Sequence, residues 1–179
     1  MKKAIYTAMV VFLFATSCTS TQRTTSETTK DDTESRMFLM IEEASQSIDN
    51  GRFSEAIHKY EQAIRLKPNP SDISTSKARR WAQNNLAWLL ATCSHDSVRD
   101  GARALTLAEQ LVTSYPRDVA YLDSLAAAYA EVGRFKDAVR IAQEAENNIP
   151  KHIPTDDPKV IEFKKHWDMY RSNRPWREP

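Results

Sequence analysis

The chain has 179 residues, 41% hydrophobic and 27% charged, which suits one modest domain and no more. Its 25 Lys and Arg against 24 Asp and Glu give a formal charge of +1. Without Lys2 and Lys3, which lie in a segment expected to be removed, 23 basic residues face 24 acidic ones, so nucleic-acid binding is disfavoured.

Residues 1–17 have the layout of a secretory signal. Lys2-Lys3 supplies a positive start, Ala4 to Phe14 an apolar run too short to span a bilayer, and Ala15-Thr16-Ser17 small residues before a cleavage point. Phe14-Ala15-Thr16-Ser17-Cys18 resembles a bacterial lipobox, departing from it at Ala15, where leucine is usual. The resemblance implies that Cys18 is lipidated and opens the mature chain, and Thr19 in place of aspartate implies the outer membrane. An ordinary signal followed by an incidental cysteine is the alternative. Cys93 is then expected to be a free, buried thiol, with a Cys18–Cys93 disulfide as its rival. Thr19 to Ser35 contains no apolar side chain, so residues 18–35 are expected to form a disordered tether.

From Met37 the spacing turns helical. Phe38, Ile41, Ala44 and Ile48 mark a first helix closed by Asn50-Gly51. Phe53, Ala56, Ile57, Tyr60, Ala63, Ile64 and Leu66 mark a second, ended by Lys67-Pro68-Asn69-Pro70. Gly51-Arg52-Phe53 returns 82 residues later as Gly133-Arg134-Phe135, in a chain with only three glycines. The unit 37–70 resembles a tetratricopeptide repeat, through Ala44, Gly51, Ala56, Tyr60, Ala63 and Pro68. The unit 119–152 resembles it equally, through Leu122, Leu125, Ala126, Tyr129, Gly133, Phe135, Ala138, Ala145 and Pro150, with Asp118 as its N-cap. Small residues at a helix crossing let two backbones approach closely.

The middle unit, 80–118, is irregular. Leu86, Ala87 and Leu90 open it and Ala104 and Pro116 close it, with five extra residues falling within Ser94 to Gly101. Its first helix extends upstream toward Ser74, and Ser97-x-x-Asp100 reads as a capping box for its second. Asp156-Asp157-Pro158 then starts a last helix, about 157–172, carrying Val160, Phe163, Trp167 and Tyr170. It resembles the helix that closes a repeat array. Arg174 to Pro179 is left to fold back or dangle. The expected fold of residues 36–179 is all-α: an antiparallel helix-pair solenoid of three tetratricopeptide-like repeats plus a capping helix.

No catalytic constellation is present. His58, His95, His152 and His166 share no metal-type spacing, and no phosphate loop or nucleophile elbow occurs. Cys93, His95 and Asp96 cluster in sequence and read as a polar loop beside a buried thiol. The expectation is a non-enzyme without metal, cofactor or small-molecule substrate.

The tetratricopeptide resemblance implies a concave groove lined by the first helix of each unit. Its lining would be Phe38, Ile41, Glu42, Ser45, Ile48 and Asp49, then Trp81, Asn84, Asn85, Trp88, Ala91 and Thr92, then Ala120, Asp123, Ser124, Ala127, Ala130 and Glu131. Trp81 and Trp88 lie two turns apart, with Asn84 and Asn85 between them, and make one stripe. The positions include four acids and no Lys or Arg, which favours a neutral or basic partner segment, extended or helical. The function expected is a membrane-anchored adaptor for a protein or peptide partner in the bacterial envelope. A self-associating structural subunit is the alternative.

Overall fold

The structure, a computed structural model, describes residues 25–66 and 73–178, with 25–32 as backbone alone. The expected signal 1–17, Cys18 and the Pro68 stop lie outside the described residues. Regular structure among the described residues is entirely helical: α1 Thr25–Asp49, α2 Phe53–Arg65, α3 Ile73–Thr92, α4 Gly101–Ser114, α5 Val119–Glu131, α6 Phe135–Asn148 and α7 Pro158–Arg171.

Local chemistry sets most of these boundaries. Gly51 and Gly133 adopt positive φ, 69° and 77°, and each ends a helix with the same pair of bonds. The Arg52 amide donates to the Ser47 carbonyl and the Gly51 amide to Ile48; Arg134 and Gly133 do the same to Tyr129 and Ala130. Asn173, at φ 53°, closes α7 in the same way through Arg174 to Met169. Only a residue tolerant of left-handed backbone fits such a stop. Asp118 caps α5 by accepting from the amides of Ala120 and Tyr121, and Asp157 caps α7 from Lys159, with Pro158 in the first turn.

Three expectations need correction. The tether was expected to run to Ser35, but α1 is helical from Thr25, twelve residues before Met37. Once Met37 and Ile41 are packed, each further residue adds a backbone bond without repeating the cost of nucleation. The apolar spacing of α1 was expected to start at Phe38, but the buried stripe starts at Met37 and runs through Ile41 and Ala44, while Phe38, one of the expected groove residues, is 39% exposed. Ser97 does not cap α4. The N-cap is Asp100, whose carboxylate accepts from the Arg103 amide, because Ser97 is held in a turn by the bond from Val98 to His95.

Each helix packs on the next in sequence. In addition α1, α3, α5 and α7 pack on one another in series, whereas α2, α4 and α6 make no such contacts among themselves. Small residues carry the crossings: Ala44, Ala56, Ala63, Ala87, Ala104, Ala126, Ala138 and Ala145 are all fully buried. Helix α5 touches α3, α4, α6 and α7 and is buried almost all round, from Leu122 through Ala130. On α7, Val160, Phe163 and Tyr170 are buried as expected, and His166 is buried with them while Trp167 is half-exposed.

Candidate functional site

The side of the molecule built from α3, α5 and α7 holds the densest polar network, and the segment after α7 completes it. Residues 174–178 run back across α5 to the end of α3. Their path is explained by the carbonyls that a helix leaves open at its last turn. Four carbonyls at the end of α3 find donors from outside the helix. Leu90 accepts from the Asp100 amide at 3.0 Å, Ala91 from Arg177 Nη1 at 3.3 Å, Thr92 from the Glu178 amide at 2.9 Å and Cys93 from Arg99 Nη1 at 2.7 Å. Helix α3 has no basic residue in its own last turn, so Arg99 and Arg177 supply the positive charge that the negative end of its dipole favours.

Glu131, at the end of α5, joins the two arginines. Arg99 Nε donates to its Oε1 at 2.9 Å and Arg177 Nη2 lies 2.6 Å from its Oε2. Burial works against the Arg99 charge, but its bonds to Asp96 and Glu131 outweigh that and hold the guanidinium further into the charged range. Gly101 permits this arrangement. A Cβ there would stand 2.9 Å from both Glu131 Cγ and Val132 Cγ1, so the start of α4 reaches the end of α5 only without a side chain.

Above this pair sits an aromatic layer. Trp88 Nε1 donates to Glu178 Oε1 at 2.8 Å. The His166 ring lies between two indoles, 5.1 Å from Trp88 and 4.6 Å from Trp176, and its Nδ1 is 3.1 Å from Asp123 Oδ2. Burial pushes the Asp123 carboxyl up, opposed by His166. Tyr170 is fully buried beside them, and burial raises its hydroxyl well above the usual tyrosine value. His166 Nε2, the Tyr170 hydroxyl and Trp176 Nε1 are buried without a protein hydrogen-bond partner.

The residues expected to line a groove divide into three groups. Trp81 is open to solvent, 43% exposed, and meets Phe38 edge-on at 6.1 Å between centroids; Glu42 and Asp49 are also exposed, and Ser45 is half-buried. Trp88, Asp123, Ala91, Thr92 and Glu131 all bear on the segment after α7 or on its aromatic layer. The third group consists of corrections. Ile41, Ser124, Ala127 and Ala130 are only 4%, 1%, 2% and 1% exposed and lie in the interior, since their positions face neighbouring helices at the crossings. Asn85 hydrogen-bonds Tyr60, whose hydroxyl burial pushes up to about 12, so it ties α3 to α2. Asn84 is half-buried with its carbonyl oxygen enclosed.

Sequence reasoning missed His166, Trp176, Arg177 and Glu178 as members of this site. The only local signal was an isolated tryptophan between arginines, Arg174-Pro175-Trp176-Arg177, in a stretch too short to be a core element.

Cys93, His95 and Asp96 do not converge. The Cys93 thiol is buried, the His95 ring tilts against Phe53 at 4.8 Å, and Asp96 pairs with Arg99. Among the described residues no group of three or more His, Cys, Asp or Glu is placed to hold a metal, and no helix is long and apolar enough to cross a membrane. No family model, curated protein or solved structure matches the chain.

Proposed function

We propose that this chain is a tetratricopeptide-like helix-pair array acting as a protein–protein adaptor, lipid-anchored through Cys18 in a bacterial envelope. On this reading it carries out no reaction and recruits a partner by raising its local concentration at the membrane. Several features support the array. Pairs α1–α2 and α5–α6 turn through the same glycine stop, alanines fill the crossings, and α1, α3, α5 and α7 share one side. The observation that carries the binding function lies on that shared side. It offers an exposed aromatic pair, Phe38 and Trp81, at one end and holds a peptide segment at the other. Tryptophan is a frequent hot-spot residue, and the surrounding carboxylates suit a neutral or basic partner.

The test places a photo-cross-linking residue at Trp81 or, as control, at exposed Arg140 on α6. A partner adduct from native envelope membranes is expected at position 81 and not at 140. Equal labelling at both, or none at either, would reject the groove as the binding face. In the same cells Cys18→Ala should release the protein from the membrane, and unchanged fractionation would reject the anchor. A self-associating subunit would instead show a mass that rises with concentration in light scattering.

A further inference from the structure

Residues 174–178 occupy part of the face that the proposed function assigns to a partner, and their chemistry describes what that face accepts. The segment has no helix or strand of its own. Three of its residues are read separately. The Trp176 indole packs tilted against the His166 ring, the Arg177 guanidinium bridges Glu131 and the Ala91 carbonyl, and the Glu178 carboxylate takes the Trp88 indole N–H. The Glu178 amide adds one backbone bond, to Thr92. Each groove partner is thus matched to a type of side chain: aromatic on imidazole, cation on carboxylate and helix end, carboxylate on indole N–H.

Two further observations bear on occupancy in trans. The open Phe38–Trp81 pair lies two turns along α3 from Trp88, so the surface bound by the segment continues into surface it leaves uncovered. And with the segment in place, His166 Nε2 and the Tyr170 hydroxyl, both more than nine-tenths buried, have no protein partner. The segment therefore leaves hydrogen-bonding capacity that a longer or better matched ligand can use.

We infer that this face binds, in trans, a segment with tryptophan, arginine and carboxylate in succession, and that residues 174–178 are its intramolecular stand-in. The inference rests on the adaptor reading and adds the chemistry of the partner to it. A segment tethered this closely is present at an effective concentration on the order of millimolar, so a partner must outcompete it and binds with reduced apparent affinity.

The experiment uses a fluorescent peptide of residues 173–178, capped at both ends, titrated by anisotropy into the full chain and into the full-chain variant Trp176→Ser/Arg177→Ser. The variant should bind the peptide at least about tenfold more tightly than the unaltered chain, and adding Glu131→Gln should abolish that gain. Equal affinity for both chains, or no binding by a variant that still melts cooperatively, would overturn the proposal. Should the variant fail to fold, the unaltered chain decides. Millimolar peptide should speed hydrogen exchange at the Glu178 amide, and unchanged exchange overturns the proposal. The two readings fail separately. A partner cross-linked at position 81 without any peptide binding removes this inference alone, whereas peptide binding without a cross-linked partner removes the adaptor.

Discussion

Glu131→Gln tests the network at its centre. The carboxylate is 13% exposed; its Oε1 accepts from Arg99, itself 12% exposed, and its Oε2 forms an ion pair with the more open Arg177. Glutamine keeps the shape and one acceptor oxygen but removes the charge, and its amide group must face one guanidinium. A hydrogen bond to a charged group contributes about 1.5–3 kcal/mol, so removing the charge from the Arg99 bond and the Arg177 ion pair should cost about 2 kcal/mol. For a domain of this size that lowers the melting temperature by about 4–8 °C. Differential scanning calorimetry and urea titration should agree on the loss. Because the Arg99 side of the pair is well buried, most of it should persist in 1 M salt, where exposed pairs are screened. A change below about 0.5 kcal/mol, the range of ordinary surface substitutions, would refute the assignment of Glu131 as the joint between the insertion and the segment after α7.

Ala138→Leu places a larger side chain in a fully buried crossing between α5 and α6 and should destabilise the fold by about 1–3 kcal/mol in urea; tolerance would contradict the close approach. Gly101→Ala should cost about 1–3 kcal/mol through its 2.9 Å approach to Glu131 and Val132, and an unaltered melting temperature would show that α4 shifts freely. Asp123 faces His166 and feels Glu162, and burial raises its carboxyl above the ordinary 3.8. The native state then keeps this proton to higher pH than the unfolded state, so Asp123 subtracts stability progressively as pH rises from the ordinary value through the native one. Asp123→Asn should therefore gain stability relative to the unaltered chain as pH rises through that window. Denaturation curves whose difference is constant with pH would refute this.

Sequence and tertiary structure contributed different things here. The helices and their stops were legible in sequence because their causes are local. Gly51 and Gly133 close helices through backbone geometry available to glycine, Asp118 and Asp157 accept from amides two or three residues on, and the alanine spacing marks the buried stripes. Where α1 begins was not legible, since helix propagation from a packed segment leaves no apolar signature in Thr25 to Arg36. The candidate site depended on tertiary structure for a different reason. Trp88 meets Glu178 across 90 residues, and Glu131 meets Arg99 and Arg177 from opposite directions along the chain. No periodicity encodes such pairings; they follow from which carbonyls the end of α3 leaves open and which donors the packing of α5 and α7 brings there. The groove positions implied by the tetratricopeptide resemblance hold four acids and no Lys or Arg, which favours a neutral or basic segment. The packing of α7 brought such a segment, from the chain itself, onto that surface.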